Sequence, residues 1–489
     1  MNLEIIEDKK KVVTLLSNQA KAVDKIFIMT DDDREGSIIA WSVIKFCKLP
    51  KEKCYRAITH EITPAAVVNA IKKPVPFDDN LVQAGLTRMM VDKLIGYGLS
   101  PIGKKYIGAK SIGRCQSVGL KLIVDRETEI NDFIPELYFD LYLNFTKGTN
   151  SFKAKYAGYK TEAIDHFTNK ADLNAAMSMC KANEYYIEDI QTKKHTESPG
   201  AAFCTATFQQ EAANKLGLRV KDAMSCAQKL FEGISIDGKH LGLITYMRTD
   251  STDISKEFIP CLKEYVIKHF SSANYVGPRT TKHKSTDQCG HEAIRVTDPS
   301  LTPDILSKYI SSKTLLKVYE LIWRRTLASV MANATVSEKI YIINNNGHKF
   351  SFNTKTITNQ GYRAVYLAES TSEQSQLVAF QIGDFVENAL LEDLKKFTQP
   401  KPRYTEASLI RELQQQEIGR PSTYVAIVET ILSPSRGYAT REGKHIVPTE
   451  RGIQLAKYCD RAFPMLINTD YTKNMEVSLD HIASGIIDW

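Results

Sequence analysis

Residues 25–46 constrain this chain more than any other segment. Ile26-Phe27-Ile28-Met29 is a short continuous apolar run, the pattern of a strand buried on both faces of a parallel sheet. Asp31-Asp32-Asp33-Arg34-Glu35-Gly36 follows at once, and Ile38, Ile39, Trp41, Ile44 and Phe46 then recur at roughly helical spacing. Strand, acidic turn and helix in that order put the carboxylates beyond the carboxyl end of a strand, where open α/β sheets keep their sites. A helix suits residues 8–22 and a second strand suits 55–62. Two strands are too few for a self-sufficient parallel sheet, so this α/β unit reads as incomplete at its N-terminus.

The remaining residues alternate in character. With 489 residues the chain exceeds a single core and should hold three or four compact units. Residues 64–130 have a helical pattern. From about 136 to 200 the period shortens to two, with Leu137, Phe139, Leu141 and Leu143 on one face. Helices return after Pro199-Gly200, where Thr207 and Gln210 suggest a capping box. Alternation resumes over 335–392, including Lys339-Ile340-Tyr341-Ile342-Ile343 and Ala364-Val365-Tyr366-Leu367, and Asn344-Asn345-Asn346-Gly347 is a hairpin-turn signal. Helices and turns fill 404–489. The expected division is 1–63, 64–135, 136–200, 201–333, 334–400 and 401–489, in a multidomain α/β plus α+β chain that leaves its β-rich and helical units and re-enters them.

Composition excludes little. The balance of 64 Lys+Arg against 57 Asp+Glu gives +7, compatible with a polyanionic partner. No run of ~18 apolar residues is present to span a bilayer. The nine cysteines form no Cys-x-x-Cys pair, which argues against a zinc module and a disulfide scaffold.

Four segments hold groups capable of chemistry. Asp31, Asp33 and Glu35 alternate, so in an extended turn they face one way and suit Mg²⁺; the alternative is a solvated acidic turn. In Gly242-Leu243-Ile244-Thr245-Tyr246-Met247-Arg248-Thr249-Asp250-Ser251, an extended backbone puts Tyr246 and Arg248 on one side. A phenol with pKa near ~10 attacks poorly unless a cation stabilises its anion, and a guanidinium also suits phosphoryl oxygens. Spacing alone is equally compatible with a core tyrosine. His291, in Gly290-His291-Glu292-Ala293-Ile294-Arg295, can donate to a phosphate only if it shares a site with Tyr246. The run 103–121 mixes Lys104, Lys105, Lys110, Arg114 and Lys121 with glycines that let backbone approach a phosphate chain, or forms a solvated face.

Taken in order, these segments resemble the type IA DNA topoisomerases. Residues 30–36 with Ile39-Ala40-Trp41 are similar to the family's Toprim metal motif, His60-Glu61-Ile62-Thr63 to its next block, and residues 111–117 to SAGRVQS. Residues 243–251 match the active-site LITYMRTDS, in the form of the bacterial topoisomerase I branch. His291 to Arg295, Tyr404 to Leu409 and Gly419-Arg420-Pro421-Ser422-Thr423-Tyr424 follow in family order.

The resemblance implies a toroidal clamp: a truncated Toprim α/β domain, helical and winged-helix-like domains, and a β-rich strap. It implies that Tyr246 attacks a single-strand phosphodiester to give a 5′-phosphotyrosine, without ATP. Arg248 and His291 would stabilise the transition state, Asp250 would tune nearby basic groups, and Asp31, Asp33 and Glu35 would hold Mg²⁺. Arg88, Lys93, Arg114, Gln116 and Arg295 would bind the single strand. The implied partners are single-stranded and negatively supercoiled DNA, with no membrane and a monomeric chain, in the cytoplasm with the nucleoid or in a host-cell cytoplasm if viral. The family's first strand, with its glutamate acid-base and a lysine, has no counterpart here, nor do C-terminal zinc fingers. Met89 stands where relatives often carry a second arginine, implying one weaker phosphate contact. The alternatives are a DNA-binding remnant that cannot turn over, or a subunit completed by a separate polypeptide.

Overall fold

The apolar run at 26–29 forms β1 (Ile26–Ile28), and β2 (Cys54–Arg56) lies parallel to it, with Ile26 opposite Cys54 and Ile28 opposite Arg56. This computed structural model describes residues 3–180, 184–279, 292–369 and 379–489, so the expectation for His291 lies outside the described residues. Helices α1 (Lys10–Lys21) and α2 (Arg34–Phe46) flank the pair and bury Ala20, Ile28, Ala40, Leu49 and Cys54 together. The second strand is shorter than the expected 55–62. Its chain leaves the sheet after Arg56 because residues 60–62 bond to another part of the molecule.

Helices α3 (Pro64–Lys72), α4 (Asp79–Ile107) and α5 (Arg114–Asn131) come next. Thr63 caps α3 by accepting from the Ala66 amide at 3.2 Å, with Pro64 at the first helical position, where its missing N–H costs nothing. Gly108, at φ +63°, ends α4 in the left-handed region.

The two alternating stretches build one sheet. Strands β3 (Leu137–Lys147), β4 (Asn150–Tyr159), β5 (Glu162–Ala163) and β6 (Tyr186–Glu197) come from the first stretch. A small hairpin, β7 (Ile234–Ile236) and β8 (Lys239–Leu241), intervenes in the helical region. Strands β9 (Ala334–Asn345), β10 (His348–Asn359) and β11 (Glu387–Phe397) complete the sheet in the order β11-β3-β4-β10-β9-β6, with β5 attached to β4. Leu141, Leu143, Phe145, Ile343 and Phe350 are buried from one face. The β9–β10 turn puts Asn346 at φ 49° and Gly347 at φ 86°, the left-handed pair that a two-residue hairpin needs.

Two local expectations fail. Residues 364–367 belong to a 3-10 helix (Gly361–Glu369) rather than a strand. Gly361, at φ +48°, turns the chain so closely on Asn333 that a Cβ would sit 2.4 Å from its carbonyl oxygen, and Val365 then packs into the helical core. The capping box at the helix Thr205–Leu216 is formed by Cys204 and Thr207, not by Thr207 and Gln210. The helix starts two residues before Thr207, which therefore sits at N3 and accepts from the Cys204 amide.

A buried ion cluster ties distant elements together. Glu476, on the helix Thr469–Ala483, is 0% exposed and accepts from Arg114 Nη2 at 2.7 Å, with Arg34 Nη1 at 3.7 Å. Asp480, one turn on, pairs with Arg34 and accepts from Arg420 Nη2 at 2.8 Å. Arg114 Nε also donates to Asp92 on α4 at 2.7 Å. Burial would raise the Glu476 pKa, but Arg88, Arg114 and Arg420 hold it down at about 2. Because that folded value lies below the ordinary 4.5, the stabilisation is complete above that pH and is lost as pH falls from there toward about 2. Glu476→Gln should therefore cost about 3–5 kcal/mol in denaturant unfolding at neutral pH and show a smaller further loss on acidification than the wild type. Equal stability of the two proteins would contradict this.

Candidate active site

The segment 242–246 is extended and held on both sides. On one side the Gly242 amide donates to Ile62 and the Tyr246 amide to His60, each at 2.8 Å. On the other, the Thr245 amide donates to the Arg295 carbonyl at 2.9 Å, the Thr297 amide to Leu243 at 3.0 Å, and Thr245 Oγ1 to Ala293 at 2.7 Å. A Cβ on Gly242 would lie 2.7 Å from the Phe231 carbonyl and 2.9 Å from that of Ile62, so only glycine admits this approach. Arg295 bridges the flanking segments, with Nη2 3.0 Å from Glu61 and a two-point contact to Glu292 at 2.8 and 2.9 Å. Its guanidinium lies 3.9 Å over the Phe258 ring. Residues 60–62 are thus zipped to the helical body along a seam that runs through Tyr246.

Tyr246 is only 4% exposed and packs edge-on against Phe231, ring centroids 5.4 Å apart. Its hydroxyl donates to Asp33 Oδ2 at 2.8 Å. Asp33 is the N-cap of α2, and its Oδ1 accepts from the Gly36 amide at 2.7 Å. Gly36 has no steric freedom: a Cβ there would stand 2.0 Å from the Asp31 carbonyl oxygen. Thr30 Oγ1 closes the turn by donating to the Gly36 carbonyl at 2.7 Å. Burial, then the charges of Asp33 and Asp31, push the Tyr246 phenol far above its ordinary value, and Arg248 opposes them. In this arrangement Tyr246 is a neutral donor.

The other carboxylates lie close by without converging. Asp31 is raised by burial and by Asp33, against the pull of Arg248. Glu35 is raised by the same two causes, against Arg88 and Ser422. Burial pulls the Arg248 pKa down, yet Tyr246, Asp33, Glu35 and Asp31 outweigh it and leave it raised. The expectation that Asp31, Asp33 and Glu35 share one extended turn does not hold: α2 begins at Arg34, so Glu35 lies on its first turn. Among the described residues, no three His, Cys, Asp or Glu side chains gather closely enough to form a metal cage. The donor chemistry still fits Mg²⁺, which takes one or two carboxylates and fills its shell with water and phosphate oxygens. Asp31 and Glu35, both raised by the neighbouring Asp33 charge, are sites where a cation would relieve repulsion.

A pocket lies beside these groups, lined by Asp33, Glu35, Arg88, Arg248, Arg420 and Ser422, with Asp250 at its edge. The glycine-turn motif at 419–424 therefore enters the site. Arg88 spans Glu35 at 3.9 Å and Asp92 at 3.8 Å. Lys93 is exposed on α4, and Gln116 is half-buried, donating to Ser111 Oγ at 3.1 Å. Arg114 and Arg295 are elsewhere engaged, at 2% and 3% exposed and bonded to internal carboxylates. Arg56 was missed in the sequence; its signal was an arginine at the end of an otherwise apolar buried strand.

The site therefore sets a buried phenol on a carboxylate turn, beside a pocket lined by Arg88, Arg248 and Arg420. The chain matches the DNA topoisomerase family model over residues 76–489 and the Toprim domain model over residues 1–62. It is similar to a solved full-length topoisomerase I from Thermotoga maritima, at 32% identity and a TM-score of 0.84, over 99% of this chain and 78% of that one. The chain belongs to the type IA DNA topoisomerases, on their bacterial topoisomerase I branch. Its partner is accordingly DNA.

Replacing Gly36 with alanine should displace the Asp31–Asp33 turn, lowering stability by about 1–3 kcal/mol in denaturant unfolding and abolishing DNA relaxation. A variant as stable and active as the wild type would show that the 2.0 Å approach is not required.

Proposed function

We propose that the protein relaxes negatively supercoiled DNA by cutting, passing and resealing one strand through Tyr246. The Tyr246 oxygen attacks a backbone phosphorus as its O–H bond breaks, the bond from phosphorus to the 3′ oxygen breaks, and the proton given up by the phenol ends on that oxygen as a 3′ hydroxyl while a 5′-phosphotyrosine forms; attack by the 3′ hydroxyl, with the proton returned to Tyr246, reverses the step. The phosphoester bond is conserved, so no ATP is needed. The observation that carries this reading is the Tyr246 hydroxyl on Asp33 at 2.8 Å, beside Arg248 and on a seam between two bodies.

In the arrangement described, the phenol's proton is held between Tyr246 and Asp33. A strand entering the pocket exchanges that hydrogen bond for contact with phosphate, and Arg248 is the group placed to balance charge on the phenol oxygen and the phosphoryl oxygens. Arg88, Lys93 and Gln116, on α4 and α5, supply the single-strand contacts, while Arg114 and Arg295 act through the elements they hold. Asp250 works on Arg420, whose pKa burial lowers but Glu476, Asp480 and Asp250 together raise. By the family pattern, His291 adds a donor to the phosphate. Mg²⁺, when held by one or two of the carboxylates of Asp31, Asp33 and Glu35, would neutralise charge between the phosphodiester and the acidic turn. The similarity to the Thermotoga fold supports a ring-like clamp with the interleaved sheet as its strap, and in this reading the clamp works as a monomer.

Mixing the protein with single-stranded DNA and Mg²⁺ and quenching in detergent should trap a covalent adduct. Tyr246→Phe should abolish it, and Arg248→Ala should slow cleavage by about 10²–10³-fold. A wild type that binds the strand but forms no adduct would favour the DNA-binding remnant instead.

A further inference from the structure

Arg56 ends β2 with a guanidinium that is 3% exposed. A buried arginine is costly unless its donors are used. Here they go to main-chain carbonyls: Nη2 donates to Asp31 at 2.7 Å and Nη1 to Ile28 at 3.3 Å. These are the last residue of β1 and the first residue of the acidic turn. Burial lowers the Arg56 pKa, and the charges of Asp32, Asp31 and Asp33 oppose that fall. The backbone that carries it is fixed, because the Val75 amide donates to the Arg56 carbonyl at 2.8 Å and the Ala57 amide to Ile28 at 3.1 Å.

We infer that Arg56 is a positioning residue for the acidic turn, aiming the carboxylate of Asp31 toward a divalent cation by gripping the backbone beneath it. The turn needs such a grip. Asp31, Asp32 and Asp33 repel one another, and their backbone is pressed against Gly36, where the space for a methyl group is already taken by the Asp31 carbonyl. One guanidinium supplies both a planar fork of donors and a positive charge at the centre of that repulsion.

The inference rests on reading residues 31–35 as cation-binding, and it makes a prediction opposite to that of simple charge. A nearby positive charge with no positioning role repels a divalent cation, so its removal should tighten binding. Loss of a positioning residue should weaken binding, by the ~10–100-fold typical of groups that orient metal ligands.

The test uses Mn²⁺ as the probe, titrated into the DNA-free protein and followed by electron paramagnetic resonance. Arg56→Met removes fork and charge, whereas Arg56→Lys keeps the charge, can serve one carbonyl and should retain the fold. Both should bind Mn²⁺ about 10–100-fold more weakly than the wild type, with the unfolding midpoint of Arg56→Lys close to that of the parent. Unchanged or tighter binding in Arg56→Lys would overturn the inference, and so would a wild type that binds no Mn²⁺. The Tyr246 adduct reports separately on strand cleavage, so failure here and failure of the proposed reaction are distinguishable.

Discussion

The hydrogen bond from Tyr246 to Asp33 joins the two parts of the molecule on which everything else depends. Asp33 belongs to a small two-stranded α/β unit, and Tyr246 to a helical body more than two hundred residues later. A hydrogen bond to a charged acceptor is worth roughly 1.5–3 kcal/mol, enough to hold a seam and little enough to exchange for a phosphate contact. The same bond uses the phenol as a neutral donor to the Asp33 carboxylate. Backbone bonds from Gly242 and Tyr246 to residues 60–62 extend the contact into a zipper, and the Arg295–Glu61 pair crosses it.

Behind the seam, charge is organised in two layers. The inner layer is structural: Arg34, Arg114 and Arg420 are spent on Glu476, Asp480 and Asp92, so five chain segments share one network that is largely buried except at Asp92. Removing one member leaves its partners charged and buried, so the network is costly to disturb. In the outer layer Arg88, Arg248 and Glu35 line the pocket, and Lys93 is exposed on α4. Arg88 touches both layers through Asp92 and Glu35.

Much of this was legible in the sequence because it depends on local pattern. The strand, acidic turn and helix at 25–46 follow from an apolar run and helical spacing, and the hairpin at 346–347 from residues that tolerate positive φ. The tyrosine's neighbourhood followed from motif order. What stayed hidden depends on distant partners. That Arg114 is buried and ion-paired depends on Glu476, 362 residues away. That Glu35 lies on a helix while Asp31 precedes it depends on where α2 begins, a boundary set by the Asp33 cap. Residues 364–367 show the limit of periodicity, since a short apolar run that packs on a helix reads the same as one in a sheet.

Hydrogen exchange along residues 242–247 tests the seam most directly, because the amides of Gly242 and Tyr246 are spent on carbonyls across it. If the phenol–carboxylate bond holds the two bodies together, Tyr246→Phe should speed exchange in this segment by roughly 10–100-fold, as expected for a bond to a charged group, while β9 and β10 remain unaffected. Exchange unchanged at 242–247 would mean that the bodies are held by something else, and the account of a nucleophile restrained by its own interface would fail.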